Sequence, residues 1–118
     1  MTTLTLYHHP HCSKSRAALA LLQERGIPLH IVPYLEQPLS ETQLRTLAQQ
    51  LGITTPRAMM RTQEPLFQTL QLNHASDDQL FAALAAHPEL LERPIAVYQH
   101  RAVIGRPIDN IHTLLTHL

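Results

Sequence analysis

The sequence predicts a single α/β domain in the order βαβ, helical insert, ββα, built on a four-stranded mixed sheet with a helical subdomain. Three observations predict it. Two short apolar runs flank a helix-forming run near the N-terminus, two serine capping boxes open helices in the middle, and two apolar runs close in sequence precede a final helical stretch. At 118 residues, 44% of them apolar, the chain can build one core but not two.

The elements follow in order. Leu4-Thr5-Leu6-Tyr7 alternates and reads as a strand. A helix is expected over 13–25, with Ala18, Leu21 and Leu22 on one face, Gly26 suited to end it and Pro28 blocking its continuation. Residues 29–32 form a second strand, which makes a βαβ unit with a right-handed crossover. Ser40-Glu41-Thr42-Gln43 is a capping box that opens a helix to Leu51, stopped by Gly52. Thr55 and Pro56 suit the N-cap and N1 positions of a short helix through Arg61, and 64–70 adds a turn or two. Ser76-Asp77-Asp78-Gln79 is a second capping box, leading a helix to His87 before Pro88. Strands at 95–98 and 102–104 are joined by Gln99-His100-Arg101 as a hairpin, and Arg106-Pro107 precedes a helix over 108–117. That order matches the thioredoxin-like fold, with its core at about 1–39 and 93–118 and a helical insert at about 40–92. In such a fold the first strand–helix loop sits at the carboxyl edge of the sheet.

Bulk properties exclude several functions. The formal charge is zero and the basic residues form no stripe, so nucleic-acid binding is not expected. No apolar run reaches about 18 residues, so no membrane span is expected. There is no export-signal pattern, and a lone cysteine can form no internal disulfide, so the expected compartment is the cytoplasm.

That cysteine, Cys12, carries the chemistry. It stands in Tyr7-His8-His9-Pro10-His11-Cys12-Ser13-Lys14-Ser15-Arg16, between the first strand and the first helix, where the helix dipole favours a thiolate. A free thiol of pKa about 8.5 is only about 3% ionised at pH 7; reaching about 75% needs roughly 2.7 kcal/mol. A helix N-terminus supplies at best about 2 kcal/mol, so a cation must also approach the sulfur. Candidates are Lys14, Arg16 and protonated His8, His9 or His11 nearby, and Arg61, Arg93 and Arg106 brought in by folding. Pro94 after Arg93 makes that bond a candidate for the cis form. The spacing Cys12-Ser13-Lys14-Ser15 is C-x-x-S, so an oxidised or adducted Cys12 needs an external thiol to resolve it. A phosphatase-type C-x5-R loop is excluded, because Ala18 stands where its arginine would be. Four ligands within His8–Cys12 are too crowded for one tetrahedral ion, and no metal is expected. His74, His87, His100, His112 and His117 are scattered and read as surface residues.

H-x-P-x-C-x-x-S-R after the first strand, R-A-x-x-R at Arg57–Arg61, Arg93-Pro94-Ile95 opening a strand, and Gly105-Arg106-Pro107 occur in this order over nearly the whole chain. In this the chain resembles the glutathione- and glutaredoxin-dependent arsenate reductases, the ArsC-type proteins of thioredoxin-like fold. The resemblance implies that Cys12 is the nucleophile toward arsenate or a similar oxyanion and that His8 helps keep it ionised. It implies that Arg61, Arg93 and Arg106, with Ser15, bind the substrate. No cofactor is bound; glutathione is the co-substrate and glutaredoxin the partner. The chain departs from the family in placing His9 where Asn is usual, His11 before the cysteine, Asp109 where Glu is common, and one extra residue near Thr54–Pro56. Two other functions fit the fold: a general monothiol glutaredoxin-like transferase, and a regulator of the Spx type that binds RNA polymerase, although Ser15 removes that type's C-x-x-C switch.

Overall fold

The computed structural model describes residues 3–116. These divide into two compact units, one of residues up to Gln37 together with those from Arg93, the other Pro38–Glu92.

The first unit holds a four-stranded sheet in the order β2-β1-β3-β4, where β1 is Leu4–Tyr7, β2 Leu29–Val32, β3 Ile95–Tyr98 and β4 Arg101–Ile104. β1 runs parallel to β2 and antiparallel to β3, and β4 is antiparallel to β3. This is the mixed sheet of the thioredoxin-like α/β fold that the sequence predicts. Alternation in β1 turns Leu4 and Leu6 to one face, where they pack with Ala18 and Leu22 of α1 (Ser13–Glu24) and with Ile111, Leu114 and Leu115 of α5 (Asp109–Leu115). One apolar layer thus joins both helices to the sheet. The predicted continuation of the last helix to His117 lies outside the described residues.

Register places the functional loops. Tyr7 pairs with Ile95, and Ile95 pairs with Ile104, so His8, Pro94 and Gly105 all leave the sheet at the same end. The peptide bonds before Pro94 and Pro107 are both cis. Gly105 donates its N–H to Pro94 O at 2.8 Å, and a Cβ on Gly105 would stand 2.8 Å from Pro94 Cγ and 3.1 Å from Ile111 Cδ1. Glycine is required there for space. The β3–β4 connection is tighter than predicted: Arg101 belongs to β4, and Gln99 turns the chain with φ 57°.

The second unit is helical. α2 (Glu41–Leu51) and α4 (Asp77–Ala86) each begin with the capping box that the sequence predicts, Ser40 with Gln43 and Ser76 with Gln79. Gly52 ends α2 in the left-handed region at φ 71°. Leu44, Leu47, Leu80, Phe81 and Leu84 are buried, as are Met59, Phe67, Leu72, Leu90 and Leu91 of the same unit. The helix expected through Arg61 is a 3-10 turn, Pro56–Met59, because Met60 is extended and bridges to Leu91. Arg61 N–H donates to Leu90 O at 2.7 Å and Glu92 N–H to Met59 O at 2.8 Å, and these bonds replace helical ones. α3 (Pro65–Thr69) follows.

Candidate active site

Cys12 is the N-cap residue of α1, with extended backbone (φ −98°, ψ 123°), and its side chain is mostly buried. The loop is closed on itself by Cys12 N–H donating to His9 O at 3.1 Å. The shared sheet end brings Arg93 and Arg106 to this loop. Arg106 donates from Nη2 to Cys12 Sγ at 3.2 Å and from Nε to the Arg93 carbonyl at 2.6 Å, so one guanidinium spans the thiol and the neighbouring loop.

Burial is the largest single effect and pushes the Cys12 thiol up, but four opposing effects together outweigh it and leave its pKa below the ordinary thiol value. These are the Ser15 N–H, the Arg93 side chain, the Lys14 N–H and the Arg93 charge, each favouring the ionised sulfur. The sulfur makes no full capping hydrogen bond to α1, so the two amides act on it mainly as aligned dipoles. The Arg106 contact adds a charge-assisted donor in the same direction. Among the described residues, Arg93 Nε is buried without a hydrogen-bond partner beside this cluster. An unpaired donor, a second guanidinium and helix amides are what a tetrahedral oxyanion needs.

His8 and Ser15 form a buried polar pair. His8 is only 8% exposed and Ser15 is fully buried. Ser15 Oγ shares a 2.7 Å hydrogen bond with His8 Nδ1 and accepts from His9 N–H at 3.0 Å. Burial lowers the His8 pKa, which keeps the ring neutral near pH 7. His8 therefore supports the loop through Ser15, and the positive charge near the sulfur comes from arginine. His9 is lowered as well, by burial first and then by Arg93, His11 and His8. Its Nδ1 accepts from His11 N–H at 3.2 Å and its ring meets Tyr34 edge-on. Lys14 and Arg16 are exposed. Among the described residues no group of His, Cys, Asp or Glu could hold a metal ion.

Arg61 belongs to the helical unit, where its Nη1 forms a 2.6 Å ion pair with Glu64. Arg57, the other arginine of its motif, is committed to structure: its Nη2 donates to the carbonyls of Leu72, Asn73 and Ala75, each at 3.0 Å. Sequence reasoning missed Asn110, whose Nδ2 donates to Ile104 O at 2.8 Å and Arg106 O at 3.2 Å. No local pattern signals such a reach.

Residues 7–114 match the model of the ArsC family. The arsenate reductase of Neisseria meningitidis serogroup B is 43% identical over 117 residues, 98% of this chain and 100% of that protein. The arsenate reductase of Haemophilus influenzae is 42% identical over 115 residues, 96% of this chain and 99% of that one. The solved arsenate reductase from Vibrio cholerae superposes with a TM-score of 0.90 at 46% identity, covering 94% of this chain and 97% of that structure. Sequence agreement over nearly the whole length and a shared fold make the conclusion plain: the chain belongs to the ArsC family.

Proposed function

We propose that this protein reduces arsenate to arsenite through a covalent adduct on Cys12, resolved by glutathione and glutaredoxin. The observation that carries the reading is the Arg106 guanidinium 3.2 Å from the Cys12 sulfur, which joins a thiol of lowered pKa to an oxyanion-binding cation. The names of the full-length relatives support arsenate as the substrate.

The thiolate attacks arsenic and forms an S–As bond. With two protons taken up, one arsenate oxygen leaves as water. Arg93 and Arg106 offset the charge of the anion, so that the anionic nucleophile can approach it. Glutathione thiolate then attacks the Cys12 sulfur. The S–As pair passes to arsenic, which leaves as arsenite, and Cys12 becomes a mixed disulfide with glutathione. Glutaredoxin takes that glutathione and regenerates the thiol, since Ser15 cannot. Ser15 contributes its buried hydroxyl to the loop and its N–H to the sulfur. The part assigned to Arg61 as a further oxyanion arginine rests on its motif alone. Dependence on glutathione suits a reducing cytoplasm.

The test is a coupled NADPH assay with glutathione, glutathione reductase and glutaredoxin, with and without arsenate. Arsenate-dependent NADPH oxidation is expected for the native chain and none for Cys12→Ser with its fold intact. Turnover in that variant would refute the adduct, and a native chain that only deglutathionylates a disulfide substrate would be a monothiol transferase.

A further inference from the structure

The turn that carries Arg106 is tied down by a residue outside every motif. Asn110 sits in the first turn of α5, a position where its amide would ordinarily compete with the helix for backbone partners. Its Nδ2 instead reaches back to the carbonyls of Ile104 at 2.8 Å and Arg106 at 3.2 Å, one on each side of Gly105. Arg106 continues the path, from Nε to Arg93 O at 2.6 Å and from Nη2 to Cys12 Sγ at 3.2 Å. An unbroken series of hydrogen bonds therefore runs from α5 to the reactive sulfur. Arginine has a long and rotamer-rich side chain, so the aim of its fork depends on where its own main chain is held.

We propose that Asn110 is a positioning residue for the chemistry at Cys12, holding the turn from which Arg106 reaches the sulfur. The inference rests on the thiol mechanism above but is read at the sulfur, with no need for arsenate. Without the two donors the 104–106 turn loses its anchor to α5. The Arg106–Cys12 hydrogen bond, which weakens steeply with distance and angle, is then the first to fail.

The experiment measures the pH dependence of Cys12 alkylation by iodoacetamide in the full chain. Asn110→Leu, close in shape but without donors, is expected to raise the midpoint by about half a unit or more, roughly threefold less thiolate below it. Asn110→Gln, which keeps an amide, should shift it less. In an Arg106→Ala background, Asn110→Leu should add nothing, because its effect passes through Arg106. An unchanged midpoint in Asn110→Leu, or an equal shift in both backgrounds, would overturn the proposal. Circular dichroism checks the fold, and if the leucine variant does not fold, Asn110→Ala carries the same pair of expectations. Failure of the native chain to reduce arsenate would remove the proposed function and leave the alkylation result to judge Asn110.

Discussion

Cys12 is tuned by competition. Burial alone would make it a weaker acid, and it is the amides of Ser15 and Lys14 together with the Arg93 guanidinium that reverse the sign. Arg93 and Arg106 differ in how they are held, Arg106 by two hydrogen bonds and Arg93 with Nε unpaired. Either Arg93→Ala or Arg106→Ala is expected to raise the arsenate KM at least tenfold, about 1.4 kcal/mol. Steady-state kinetics check this, and unchanged values in both variants would remove them from the site. Arg106→Lys keeps the charge but loses the fork that serves the sulfur and the Arg93 carbonyl together, so alkylation should show a thiol less acidic than in the native chain. Ser15→Ala would strip a partner from both His8 and His9 N–H, costing about 1–3 kcal/mol in a denaturant melt.

Among the elements, the capping boxes of α2 and α4 are the clearest case of local sequence deciding local structure. Ser40→Ala or Ser76→Ala should each cost about 1 kcal/mol of stability, measured by chemical denaturation. Strands β1, β2 and β3 were legible to the residue, β1 by its alternation, β2 as an apolar run between Pro28 and Pro33, and β3 as one that opens after Pro94. The segment after Pro56 was legible only in part. Its N-cap and proline announce a helical start, but Met60 pairs with Leu91, a partner distant in sequence that no local pattern reveals. The same limit applies at the site. Cys12, Arg93 and Arg106 could be named from motifs, whereas the His8–Ser15 pair and the Asn110 anchor exist only through folding. Position 57 shows the converse: two arginines share one motif, and three carbonyl partners reveal which is structural.

At the scale of the whole molecule, Cys12, His8 and His9, whose pKa values are lowered, shape the response to pH. Cys12 is more acidic folded than unfolded, so its ionisation adds stability as pH rises through the folded value, completely so above the unfolded one. His8 and His9 resist protonation when folded, so stability falls as pH drops below the ordinary imidazole range near 6.5. Thermal melts across pH 5 to 9 should show both limbs, with Cys12→Ser flattening the alkaline gain and sparing the acid loss. A Cys12→Ser profile identical to the native one would show that folding does not lower the pKa of the sulfur. The crowding at Gly105 reaches across the sheet unit. A methyl group placed there would act as a wedge between the proline turn that opens β3 and the first coil of α5, prising apart the two strands' ends that aim both cations. Gly105→Ala is therefore expected to lower the melting temperature and blunt the alkylation rate together, two losses from one carbon atom that never touches the sulfur.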